Sequence, residues 1–120
     1  FIASGFWDPN KYDLLRMRKE IEVDHEYFRK KIDDKIIHEM WGGMKGDKLK
    51  TSPKGFDKDH PANDLLQFKQ YIFTKKVETK IIFSDEFESF IINHFKALLP
   101  VLDYMGEVLN TNLDGESLLQ

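Results

Sequence analysis

The residue types best suited to chemistry lie between Trp41 and Lys69. There Lys45, Lys48, Lys50, Lys54, Lys58 and Lys69 stand against Asp47, Asp57, Asp59 and Asp64, with no other formally charged residue. Six lysines against four aspartates give the segment +2, so the rest of a chain of net charge −3 carries −5. Lys48, Leu49 and Lys50 alternate, so an extended backbone projects both lysines from one side, and a turn at Pro53 to Gly55 brings Lys54 toward them. Three ammonium groups beside glycine amides such as that of Gly55 suit an anion: a phosphate, a carboxylate or a nucleic-acid backbone. The amides at the start of a helix after Pro61 would add to that site. The competing reading is a solvated loop whose lysines pair with its own aspartates, a weak interaction at an exposed surface.

Asp57, Asp59, His60 and Asp64 form the one cluster with metal-ligand chemistry, and His60 and Asp64 would share a face if both were helical. Asp59 and His60 also flank a helix start, where capping is the ordinary role, and the cluster lacks a ligand motif, so no metal is expected. His60 stays among the candidates for the anion site. Trp41 and Phe56 bracket the lysines, where they either stack a planar ligand or pin the loop to the core.

Other chemistries find no support. His94 beside Phe95 reads as a core histidine, and Glu86 with Glu88 as a solvated helix surface rather than a carboxylate pair. No serine sits in a nucleophile elbow, and no glycine fingerprint for phosphate or dinucleotide is present, so no cofactor is expected. The chain has no Cys, which excludes disulfides, thiolate metal sites and cysteine nucleophiles and accords with a cytoplasmic protein.

The elements that must position the loop are legible on both sides of it. Phe1 to Trp7 reads as a strand ending at Asp8-Pro9, with Asp8 placed to cap the helix that follows. Leu14, Met17 and Ile21 then recur at helical spacing, with Arg16, Arg18, Lys19 and Glu20 on other faces. Asp24 is placed to cap a second helix carrying Tyr27, Phe28 and Ile32, and a third turn from Asp34 through Ile36, Ile37 and Met40 ends at Gly42-Gly43. Beyond it the chain has little periodicity, with a brief extended piece at Lys48 to Thr51, until Pro61 opens a helix with Leu65, Leu66 and Phe68. Tyr71 to Val77 reads as a strand and Ile81 to Phe83 as a second, short one. Ser84 is placed to cap the strongest helix, which carries Phe87, Phe90, Ile91, His94 and Phe95, is kinked or restarted by Pro100, and continues through Leu102, Met105, Val108 and Leu109.

The sum is an α+β domain over residues 1–110, several helices packed on a small, incomplete sheet with a long ordered loop, followed by a frayed tail at 111–120. A loop this long inside a compact domain is uncommon and is usually functional or disordered; its aromatic and aliphatic punctuation argues for order. At 120 residues the chain is one domain able to remove roughly two-thirds of its surface from water. Its net charge argues against an overall electrostatic footprint for nucleic acid, and no apolar run approaches the roughly 18 residues of a membrane-spanning helix.

Met40 to Tyr71, MWGGMKGDKLKTSPKGFDKDHPANDLLQFKQY, resembles the hallmark stretch of the DUF2461 family of bacterial proteins. The shared order is a GG at Gly42, a G-x-K-L-K at Gly46 to Lys50, a P-K-G-F at Pro53 to Phe56, a D-H-P at Asp59 to Pro61 and a D-L-L at Asp64 to Leu66. The opening strand and the helix from Ser84 to about Asn110 are similar to family segments as well. Family members are longer and carry an arginine-rich motif that this chain does not contain. The resemblance therefore implies the C-terminal half of a longer protein, an N-terminal half as its structural partner, and arginines there that converge with Lys48, Lys50 and Lys54 on one anion. It implies no activity, since the family is uncharacterised. The expectation for function is thus a small anionic ligand on the 41–69 loop; the alternatives are a structural or protein-interaction domain without a ligand, and nucleic-acid backbone binding.

Overall fold

A computed structural model describes residues 1–110; the tail expected to fray at 111–120 lies outside the described residues. The elements run β1 (Ile2–Phe6), α1 (Lys11–Val23), α2 (His25–Ile32), α3 (Lys35–Trp41), α4 (Asn63–Leu66), β2 (Tyr71–Lys75), α5 (Thr79–Ile82) and α6 (Phe87–Leu109). The small α+β fold expected from the sequence is what they form.

Helix starts follow the polar residues that can accept orphan amides. The Asp24 carboxylate accepts from the Tyr27 amide at 3.4 Å, and the Asp34 carboxylate accepts from Ile36 and Ile37 at 2.9 and 3.1 Å. At α1 the cap is Asn10, whose Oδ1 accepts from the Asp13 amide at 2.8 Å, and not Asp8 as expected. Asn10 immediately precedes the first helical residue, whereas Asp8 is on the far side of Pro9. Ser84 also lies too far upstream to cap α6, which begins at Phe87. Its hydroxyl instead donates to the Ile81 carbonyl at 2.8 Å and accepts from the Glu86 amide at 3.2 Å, closing the preceding turn.

One further expectation is corrected, and one of the two outcomes expected at Pro100 is excluded. Ile81 to Phe83 is no strand: Thr79–Ile82 is a single helical turn, with the Ile82 amide donating to the Glu78 carbonyl at 3.2 Å. Three consecutive apolar residues carry no periodicity that separates helix from strand. Pro100 does not restart α6, which runs through it as one helix of 23 residues. Pro100 and Lys96 are both exposed, so the carbonyl that loses its donor lies on the solvent side of the helix.

α6 is the spine. It packs against α1, α2, α3 and β1, and buries Leu98, Val101, Tyr104, Met105 and Val108. Met17 and Ile21 of α1, Phe28 of α2 and Trp41 of α3 meet this face, each fully or almost fully removed from water. Phe28 stacks on Tyr104 at 5.1 Å between centroids and meets Tyr71 edge-on at 6.2 Å, joining helices to sheet. Among the described residues no helix is long and apolar enough to cross a membrane.

The sheet pairs β1 and β2 antiparallel, from Ile2 opposite Lys75 to Phe6 opposite Tyr71. Tyr71 and Phe73 point into the core, and Ile72 and Thr74 lie on the half-buried face. On the other edge of β2, Lys45 and Ile72 exchange both backbone hydrogen bonds, at 2.7 and 2.9 Å. β2 is therefore the middle of three chain segments, and the third is the long loop.

Close approach of that loop needs a residue without Cβ. Gly46 has φ +156°, and a Cβ there would run into the backbone carbonyl oxygen of Gln70. Gly46→Ala is accordingly expected to lower stability by roughly 1 to 3 kcal/mol in urea unfolding, with unchanged helix content by circular dichroism. A neutral substitution would contradict the close packing of loop on strand.

Candidate functional site

The lysine-bearing loop is positioned from both ends. Trp41 ends α3 inside the core at 1% exposure, and its indole Nε1 donates to the His94 carbonyl of α6 at 2.8 Å. Gly42, at φ +77°, then turns the chain out of the helix. Beyond the Lys45–Ile72 pair, the Asp47 amide donates to Gln70 Oε1 at 2.8 Å, the Lys69 amide to the Asp47 carbonyl at 2.7 Å, and the Leu49 amide to the Gln67 carbonyl at 2.8 Å. Extended pairing thus falls at Lys45 and Lys48, meeting the expected Lys48 to Thr51 piece only at its first residue. Pro53 and Phe56 are buried, and turns closed by Phe56 to Pro53 and by His60 to Asp57, both at 3.1 Å, carry the chain to α4.

This backbone sets the lysines. Leu49 is half-buried between exposed Lys48 and Lys50, as the alternation predicts. The Lys48 ammonium stands 4.5 Å above the Phe68 ring, and Lys54 with Gly55, at φ +88°, occupies an exposed turn. Lys45 donates to Thr74 Oγ1 at 2.9 Å. Among the described residues none of the six loop lysines forms an ion pair. Three of the loop's four aspartates are directed elsewhere: Asp47 accepts from Gln70 at 3.5 Å, Asp57 from the Asp59 amide at 2.9 Å, and Asp64 pairs with Arg29, while the Asp59 carboxylate is exposed. The positive charge of the loop is left without a local carboxylate partner.

The other candidates hold the loop instead of facing outward. Trp41 lies within the core, so it pins and does not present a ring to solvent. His60 Nδ1 accepts from the Ala62 amide at 3.0 Å, which leaves the proton on Nε2 to donate to the Glu22 carbonyl at 3.1 Å. Both nitrogens serve the backbone, and the ring packs edge-on to His25 at 5.6 Å. Among the described residues no three acidic or histidine side chains converge in a geometry that could hold a metal ion. α4 is only four residues long, so its amides add little to an anion site. His94 is a core residue, its Nδ1 2.8 Å from the Phe90 carbonyl. Among the described residues, cavities of about 240 to 420 Å³ are lined by none of these lysines.

Periodicity missed the arginines, which it assigns to helix surfaces. Arg18 Nε and Nη2 reach the Leu66 and Phe68 carbonyls at 2.9 and 3.0 Å, and burial holds its pKa below the ordinary guanidinium value. Tyr71 donates to the neighbouring Leu65 carbonyl at 2.9 Å, and burial pushes its phenol pKa up. Arg16, nearly inaccessible, meets Glu20 at 2.9 Å beside Tyr104. The one available signal was the choice of Arg over Lys in α1 amid a lysine-rich chain, since a planar fork of donors suits paired carbonyls and carboxylates.

Fold and loop together define a small α+β module in which a long basic loop forms an edge of the sheet. The sequence profile of the conserved hypothetical proteins of DUF2461 matches residues 1–104, and the chain belongs to that family. Neither a curated protein nor a solved structure gives a match.

Arg29 fixes the exit of the loop, with Nη1 and Nη2 at 3.0 and 2.6 Å from the two Asp64 oxygens and Nη2 at 3.3 Å from the Pro61 carbonyl. The Arg29 hydrogen bonds hold the Asp64 carboxyl below its ordinary pKa. A depressed folded-state pKa contributes stability above the unfolded value, lost as pH falls through the folded one. Asp64→Asn is expected to cost roughly 0.5 to 1 kcal/mol at pH 7 for this largely exposed pair. The gap from wild type should close as pH drops below the usual carboxylate range in urea unfolding. A gap independent of pH would show that the pair carries no such stability.

Proposed function

We propose that the 41–69 loop binds a small anion, a phosphate or a carboxylate, through Lys48, Lys50 and Lys54 beside Gly55. The observation that supports this reading is the separation of charges in the loop. Three of its four carboxylates are engaged by Gln70, Arg29 and a backbone amide, while its ammonium groups have no carboxylate partner among the described residues. Exposed lysines gain little from isolated contacts, so the ligand must draw on several at once and on the turn amides around Gly55. No catalytic residue is assigned. Trp41 and His60 contribute by holding the loop, and their side chains are not needed as ligand contacts.

A structural or protein-interaction role without a ligand has its own support, because the same loop supplies the second hydrogen-bonded edge of β2. Nucleic-acid backbone binding is less favoured by a chain of net charge −3. Titration of inorganic phosphate, followed by amide shifts at Lys48 to Gly55, separates these readings. Anion binding predicts saturation, lost in the triple variant Lys48→Glu, Lys50→Glu, Lys54→Glu with its fold retained. A linear response, or saturation unchanged by the triple variant, would refute it. Binding of a single-stranded oligonucleotide that weakens steeply between low and moderate salt would favour the nucleic-acid reading.

A further inference from the structure

The largest of the cavities above lies between α2, α3 and α6, is lined by none of the loop lysines, and measures about 420 Å³. Its volume is within the range of small-molecule sites, which are mostly apolar with a few polar groups that set orientation. Ile36 and Ile37 of α3 face Ala97 and Pro100 of α6 across it. Ile36 is 58% exposed, apolar surface with no cover in the fold. Pro100 adds a rigid apolar wall and carries no amide hydrogen to be satisfied.

The charged groups of the cavity are three lysines and one aspartate, which sum to +2. Lys30 and Lys96 are exposed, and the Lys31 ammonium stands 4.6 Å over the Tyr27 ring. None of the three forms an ion pair among the described residues. The carboxylate of Asp34 is committed to the α3 amides of Ile36 and Ile37. Cations without a carboxylate partner thus flank aliphatic walls, and with Asp34 counted the cavity keeps a net charge of +2.

We propose that this cavity is a second binding site, for an amphipathic carboxylate: an apolar body seated against Ile36, Ile37, Ala97 and Pro100, with its carboxylate among Lys30, Lys31 and Lys96. Charge decides the sign of the head group, because an ammonium there would meet three like charges. The walls decide the body, because a purely polar anion would leave Ile36 and Pro100 in water. This site is independent of the lysine-bearing loop.

Octanoate tests the proposal, with acetate and octylammonium as probes of the body and of the head. Octanoate is expected to shift the amides of Ile36, Ile37 and Ala97 saturably, acetate not at all, and octylammonium several-fold more weakly. Lys30→Glu with Lys96→Glu should weaken octanoate by roughly three-fold or more, both side chains being exposed and the fold checked by circular dichroism. Should that pair disturb the fold, Lys96→Gln and Ile36→Ser each test one half of the site by the same loss of affinity. The triple loop variant should bind octanoate as the wild type does. Equal binding of octylammonium, a non-saturating octanoate response, loss of binding in the loop variant, or indifference to the cavity substitutions would each overturn the assignment.

Discussion

The reciprocal backbone pair between Lys45 and Ile72 is the contact on which the rest of the molecule depends. β1 satisfies one edge of β2, and without Lys45 the other edge would present unpaired groups around Ile72. The pair turns a segment with almost no periodicity into a fixed element. From it follow the Asp47–Gln70 and Leu49–Gln67 contacts, the seat of Phe68 under Lys48, and the outward aim of Lys48 and Lys50. Gly46, next in sequence, is what allows the two backbones to come together.

Helix α1 secures the same region from the core side. Arg18 donates to two carbonyls at the end of α4 and the approach to β2, which would otherwise be half-buried acceptors without a donor. Arg29 performs the corresponding task at the entrance of α4 through Asp64 and Pro61. Loop order is thus enforced by a strand, two arginines and the Trp41 indole, while the lysine ammonium groups are spared these structural contacts, except for Lys45 on Thr74 and Lys48 over the Phe68 ring. Arginine holds and lysine faces water, in keeping with a rigid fork against a flexible, strongly hydrated ammonium.

Much of this was legible in the sequence. The stripe Met17 and Ile21, the cap Asp24, the third turn starting at Asp34, the stop at Gly42 and the strand beginning at Tyr71 each rest on local geometry, and each is found. The glycine, proline and aromatic punctuation of the loop signalled order correctly, and Lys48, Leu49 and Lys50 alternate as expected. Local signals failed where tertiary contacts decide. Asn10 displaced Asp8 because adjacency to the helix outweighs acidity, and Ile81 to Phe83 was too short for its period to be read. The roles of Arg18 and Arg29 depend on residues 48 and 35 positions away, which no window spans. His60 reads as a ligand residue in the sequence because its bond to the Glu22 carbonyl, 38 positions away, lies beyond any local pattern.

Native-state hydrogen exchange tests most directly whether the loop is a third element of the sheet. The Lys45 and Ile72 amides, with those of Leu49 and Lys69, are expected to exchange only through the same opening that exposes Tyr71 to Lys75, with matching free energies. Exchange of Lys45, Leu49 and Lys69 at the rates of an unstructured segment, while the β1–β2 amides remain protected, would contradict the account.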